Sequence, residues 1–66
     1  MNYFISFTNA EEFDWCVLVT DDYDYAYKVF EDLSPLPGYK MELRVTDQDI
    51  DTYTNYEVLR YDYSQF

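Results

Sequence analysis

Asp21–Ser34 reads DDYDYAYKVFEDLS, and it is the one stretch of the chain with a sustained helical pattern. At about 100° per residue, Tyr23, Ala26, Tyr27, Phe30 and Leu33 fall on one side of the predicted helix. Asp21, Asp24, Tyr25, Lys28, Glu31 and Asp32 fall on the other, so that side carries four carboxylates and a single lysine. The apolar stripe needs a surface to pack on, and the flanking segments supply it as strands. Thr20, Asp21 and Asp22 are N-cap candidates, and Asp24 sits in the first turn, where the macrodipole favours negative charge. Pro35 disfavours helical geometry in the residue before it, which ends the helix near Ser34.

Upstream, Asn2–Thr8 alternates. Tyr3, Ile5 and Phe7 point one way and Asn2, Ser6 and Thr8 the other, with Phe4 among them, as in a half-buried strand. Asn9-Ala10-Glu11-Glu12 is a polar turn. Phe13–Thr20, FDWCVLVT, is apolar on both faces: Phe13, Trp15, Val17 and Val19 on one, Cys16 and Leu18 on the other. That pattern predicts a strand in the middle of its sheet, with Cys16 buried and inert. Downstream, Pro35-Leu36-Pro37-Gly38 turns the chain back. In Tyr39–Thr46 the residues Tyr39, Met41, Leu43 and Val45 alternate with Lys40, Glu42, Arg44 and Thr46, which predicts one core face and one wet face. Asp47–Thr52 is an acidic connection with room for one helical turn. Tyr53–Tyr63 closes the chain as a strand whose phase breaks, and a bulge between Val58 and Leu59 reconciles its two halves. The expected fold is α+β: one domain over residues 1–66 in the order β-β-α-β-β, an antiparallel sheet of about four strands with one helix packed on it.

Sixty-six residues bury only roughly 60% of the unfolded surface, so the core is small. Aromatic residues make up 23% of the chain, too many for a disordered segment. Fourteen Asp and Glu against four Lys and Arg give −10, with no histidine. Phosphates repel such a chain, so direct binding to nucleic acid or to an anionic membrane is not expected. A basic protein surface is the partner this charge favours. The start, MNYFISFTN, has neither a basic region nor a long apolar run, and no stretch of about 18 apolar residues occurs, so no leader or membrane span is expected and a cytoplasmic location fits. Cys16 is the single cysteine, which leaves no internal disulfide.

The constellations that carry chemistry are missing. Asp47-x-Asp49-x-Asp51 begins like a calcium loop, but the EF-hand needs Gly at its sixth position and Glu at its twelfth, and Thr52 and Val58 stand there. The lack of histidine removes the commonest general base and metal ligand. One glycine is too few for a phosphate-cradling loop or a nucleophile elbow. No enzyme activity, cofactor or metal is expected. The tyrosines are interleaved with carboxylates rather than lysines, as in Asp21-Asp22-Tyr23-Asp24-Tyr25 and Tyr61-Asp62-Tyr63, which suits a protein contact better than base stacking.

What remains is the carboxylates together. Neighbours at i and i+2 on a strand lie about 6.6 Å apart, and those at i, i+3 and i+4 on a helix roughly 5–6 Å apart. Asp21, Asp24, Glu31 and Asp32 of the helix and Asp47, Asp49 and Asp51 of the loop, with Tyr25 among them, therefore form a candidate partner-binding surface with phosphate-like spacing. The structural alternative is that this charge only keeps a tyrosine-rich chain soluble. In size, charge and folding plan the chain is similar to small phage-encoded inhibitors that mimic DNA, among them anti-restriction proteins, uracil-DNA glycosylase inhibitors and anti-CRISPR proteins. The resemblance spans the chain but rests on no motif and carries over no residue. It implies an inhibitor that occupies the basic nucleic-acid groove of a host defence protein, such as an RNA-guided or restriction nuclease. The competing reading is a non-enzymatic interaction module or homodimeric adaptor that binds through a strand edge and Tyr56, Tyr61, Tyr63 and Phe66.

Overall fold

A computed structural model describes residues 1–63; Phe66 lies outside the described residues. The elements are β1 (Asn2–Asn9), β2 (Asp14–Thr20), α1 (Tyr23–Asp32), β3 (Tyr39–Thr46) and β4 (Glu57–Tyr63). They form the expected α+β arrangement, with one four-stranded antiparallel sheet in the order β2-β1-β3-β4.

Local chemistry fixes the joints. Asp22 caps α1 by accepting from the Tyr25 backbone N–H at 3.2 Å, and the Thr20 hydroxyl accepts from the Asp22 N–H at 3.1 Å. At the other end Leu33 is extended, and its N–H closes the last turn on the carbonyls of Val29 and Phe30. Gly38 then takes φ 81°, the left-handed region that a side chain disfavours, and the Tyr39 N–H donates to the Leu36 carbonyl at 2.9 Å. Between β1 and β2 the Asn9 side chain accepts from the N–H groups of Glu11 and Phe13, each at 3.0 Å.

The helix covers one face of the sheet. Ile5, Phe7, Met41 and Leu43 are buried against Ala26 and Phe30, with Tyr3, Leu18, Val29, Leu33 and Tyr39 packed around them. Tyr23 sits at the rim of this core, its ring edge-on to Tyr3 at 5.4 Å.

Expectations about β2, β3 and the segment after β3 are corrected. β2 is an edge strand, not a central one, and Cys16 is exposed rather than buried. Its apolar character on both faces has a different origin. Ile5 lies opposite Leu18 and Ser6 opposite Cys16, so Val17 is an extra, bulged residue. The bulge puts Trp15 and Leu18 on the helix side and Cys16 and Val19 on the other. Much of this strand is in contact with solvent, Trp15 being 48% exposed.

The second correction concerns β3. Its polar alternate residues were expected to face water, yet Glu42, Arg44 and Thr46 are only 7%, 3% and 4% exposed. The segment after β3 folds back over that face. It forms turns and bends with no helical turn, and β4 starts at Glu57 rather than Tyr53. Tyr53 packs tilted and Tyr56 edge-on against Phe4, with ring centroids 5.1 and 6.0 Å away. Gln48 staples the segment: its side-chain oxygen accepts from the N–H groups of Thr54 and Asn55 at 2.7 and 3.3 Å, and its carbonyl accepts from the Asn2 side chain at 2.8 Å. The Thr46 hydroxyl donates to the Asn55 carbonyl at 2.8 Å. The phase break in the last strand is resolved as expected. Leu43 lies opposite Arg60 and Arg44 opposite Val58, which leaves Leu59 as the bulged residue.

Candidate functional site

The strand register places the candidate carboxylates. Tyr3 lies opposite Thr20, and Asn2 opposite Thr46, so β2 and β3 finish at the same end of the sheet, one strand apart. Two strand spacings are roughly 10 Å. Asp21 and Asp24 follow β2, and Asp47, Asp49 and Asp51 follow β3, so both groups lie at that end, with Glu57 opposite Val45. All are exposed. Glu31 and Asp32 are exposed too, but at the far end of the helix; the seven residue steps from Asp24 to Glu31 rise roughly 10 Å. Tyr25 is 52% exposed on the helix between the two groups. The surface expected as one patch is therefore divided, with five carboxylates on two segments at one end of the sheet and a pair toward the other. Part of this acidity has local work: Asp49 accepts from the Asp51 N–H at 2.9 Å, and Asp22 caps the helix.

The cations explain why so much negative charge is left outside. Arg44 lies almost wholly inside the second face of the sheet. Its Nη1 donates to Asp14 Oδ2 at 2.8 Å and its Nε to Glu42 Oε1 at 2.8 Å, while Nη2 is 2.6 Å from the same Glu42 oxygen. The guanidinium also lies 4.4 Å from the Tyr56 ring centroid. Burial on its own lowers the pKa of Arg44, but the hydrogen bonds to Asp14 and Glu42 and the charge of Asp14 outweigh it and hold the pKa above its ordinary value. Lys40 Nζ is 3.3 Å from the other Glu42 oxygen, completing a neutral cluster of two cations and two carboxylates. Arg60 stacks on the Tyr27 ring and donates to its hydroxyl. Lys28 is exposed on the helix among Asp24, Glu31 and Asp32.

Sequence reasoning missed the ion cluster. Its local signal is the alternation of sign in Lys40-x-Glu42-x-Arg44 on one face of a strand, which pairs neighbours at about 6.6 Å. Its other member, Asp14, is 30 residues away from Arg44 and had no such signal. The cluster floors a shallow groove of about 640 Å³ lined by Thr8, Asp14, Lys40, Glu42, Tyr56 and Tyr63.

Beside this groove the Cys16 thiol donates to the Leu18 carbonyl at 3.5 Å. Partial desolvation, helped by the Asp14 charge, raises its pKa and keeps it a thiol, which weakens it as a nucleophile. Among the described residues no group of three His, Cys, Asp or Glu side chains comes together as a metal cage, and no helix is long and apolar enough to cross a membrane. Comparison with protein-family models, with curated proteins and with solved structures finds no match for this chain.

Proposed function

We propose that this protein is a non-enzymatic inhibitor that binds the basic nucleic-acid-binding groove of another protein, with its carboxylates standing in for phosphates. One observation supports this most: three of the four cations, Lys40, Arg44 and Arg60, are engaged by carboxylates or an aromatic ring, while Asp21, Asp24, Asp47, Asp49 and Asp51 stand exposed at one end of the sheet. A chain that carried its charge only for solubility would have no need to collect it there. A groove that grips phosphates with Lys and Arg fits such a cluster, and long-range attraction speeds the encounter. RNA-guided and restriction nucleases are the target class that the overall size and charge favour.

The test is competition for nucleic acid. Retention on immobilised protein from a host lysate supplies the target, and displacement of its DNA or RNA is then measured. Asp47→Lys with Asp51→Lys changes net charge by four, from −10 to −6, and Glu31→Lys with Asp32→Lys does the same at the far end of the helix. Both doubles should fold, with stability changes within about 1 kcal/mol, because the side chains are exposed. The loop double should lose displacement at least tenfold, since each reversal replaces attraction by repulsion. The helix-end double should lose much less. Equal loss in both reduces the effect to net charge, and simultaneous binding of nucleic acid and this protein to the target rules mimicry out.

A further inference from the structure

We propose that β4 is the edge through which two copies of this chain join, strand to strand and antiparallel, into a continuous eight-stranded sheet. Among the described residues β4 pairs with β3 on its inner side alone, and all of its residues are exposed. Such an edge is a template for another strand. The occupant is argued from the sequence of the edge itself. Arg60-Tyr61-Asp62 is self-complementary when reversed: a twofold axis through Tyr61 sets Arg60 opposite the second copy's Asp62 and Asp62 opposite the second copy's Arg60.

The faces agree with this register. Arg60 and Asp62 lie opposite Leu43 and Met41, on the helix side; within one copy Arg60 rests on the Tyr27 ring and Asp62 accepts from the Tyr63 N–H at 2.9 Å, so both side chains turn to the second copy as the ion pairs form on that side. Tyr61 and Tyr63 lie opposite Glu42 and Lys40, on the other side, with ring centroids 5.3 Å apart and with 62% and 55% of their surface exposed. Pairing brings these rings against those of the second copy. The bulge at Leu59 falls just before Arg60, so Arg60, Tyr61 and Asp62 pair regularly across the axis, and the pairing ends where Tyr63 meets the bulged Leu59 of the second copy.

The other free edge, β2, is more apolar but does not suit self-pairing. Its bulge at Val17 splits the strand, and an antiparallel pair centred on Val17 sets Trp15 of the helix side opposite Val19 of the far side. Charge also selects β4. Chains of −10 repel each other, and Arg60 with Asp62 makes the middle of β4 locally neutral. A contact of one strand pair is small, so the dimer is weak and exchanges quickly. Salt strengthens it by screening the rest of the surface, the reverse of its effect on the acidic contact proposed above. The two contacts use different residues.

Sedimentation equilibrium of the full chain from about 1 µM to 1 mM, at about 50 and 500 mM NaCl, tests this. The chain should dimerise reversibly, more tightly at high salt. Asp62→Arg alone and Arg60→Asp alone should each weaken association about tenfold or more, because two opposite-charge pairs become like-charge pairs. Mixing the two variants should restore a heterodimer, since every pair is then of opposite sign. Tyr61→Cys in a Cys16→Ser background should oxidise to a covalent dimer, as residues on the axis are within disulfide reach. Asp47→Lys with Asp51→Lys should not weaken the dimer. A monomer at the top concentration overturns the proposal. So does Asp62→Arg that associates like the unaltered chain, or a mixture of two folded variants that stays monomeric.

Discussion

On the helix side of the sheet, Ile5, Phe7, Met41 and Leu43 meet Ala26 and Phe30 without a polar atom among their side chains. On the opposite side, Phe4 is equally buried but lies among Ser6, Glu42, Arg44 and Thr46 under Tyr53 and Tyr56. The two faces alternate along the same strands, so they share backbone, register and twist and differ in their side chains and in what covers them. A helix covers the first and asks only for apolar volume. A stapled loop covers the second, and there each buried charge needs its partner in place. No buried side-chain nitrogen or oxygen among the described residues lacks a hydrogen-bond partner, so that demand is met. The first face tolerates substitution by size, and the second by pairing.

The strongest way to break this contrast is to remove one member of each core. Arg44→Ala leaves Glu42 buried without its main partner and should cost about 3–5 kcal/mol. Phe30→Ala should cost the same, about 3–5 kcal/mol, for lost transfer energy and a cavity. Urea unfolding followed by circular dichroism measures both, and loss of a cooperative transition counts as the full effect. An Arg44→Ala cost below about 1 kcal/mol would mean that the second face is effectively wet.

The same contrast marks how far the sequence can be read. The apolar stripe of α1, the alternation in β3 and the phase break at Leu59 are local signals, and the element order follows from them. The edge position of β2 was not legible, because an apolar strand reads alike whether neighbours or water flank it. Its bulge at Val17, visible in the register with β1, scrambled the faces as well. The burial of Glu42 and Arg44 was hidden for a different reason. It depends on a later segment returning over β3, and on Asp14 reaching across from β2. Neither is encoded near β3. For the candidate surface, each carboxylate was readable as exposed. The sharing of one end by Asp21, Asp24, Asp47, Asp49 and Asp51, to the exclusion of Glu31 and Asp32, comes only from strand order.

Tyr56 sharpens the comparison at a smaller scale. It closes the second face with an apolar ring and faces the Arg44 guanidinium. Tyr56→Leu keeps much of the apolar cover but removes the ring's negative face, so thermal unfolding should show a loss of about 1 kcal/mol. A helix-side ring such as Tyr23 has no cation above it, and Tyr23→Leu should cost less. Equal losses would reduce Tyr56 to apolar cover and leave the cation contact without weight.

The smallest expected effect is the most telling. Replacing Glu42 and Arg44 together, by Leu and Met, removes both buried charges and keeps most of the volume. Buried ion pairs gain little over apolar pairs of similar shape, because desolvation offsets their attraction. Asp14 and Lys40 lose their partners, but their side chains are 44% and 36% exposed, so water solvates what remains. The double variant should therefore stay within about 1 kcal/mol of the unaltered chain, while Arg44→Met alone leaves buried Glu42 with Lys40 as its one cation and Glu42→Leu alone leaves buried Arg44 with Asp14 as its one carboxylate, at several kcal/mol each. That non-additivity is the signature of a paired core, since independent sites add. If instead the double is as unstable as Arg44→Met alone, the cost lies outside the pair. The bonds from Arg44 to Asp14 and Thr8, which tie the edge strand to the sheet, would then be what holds the second face together.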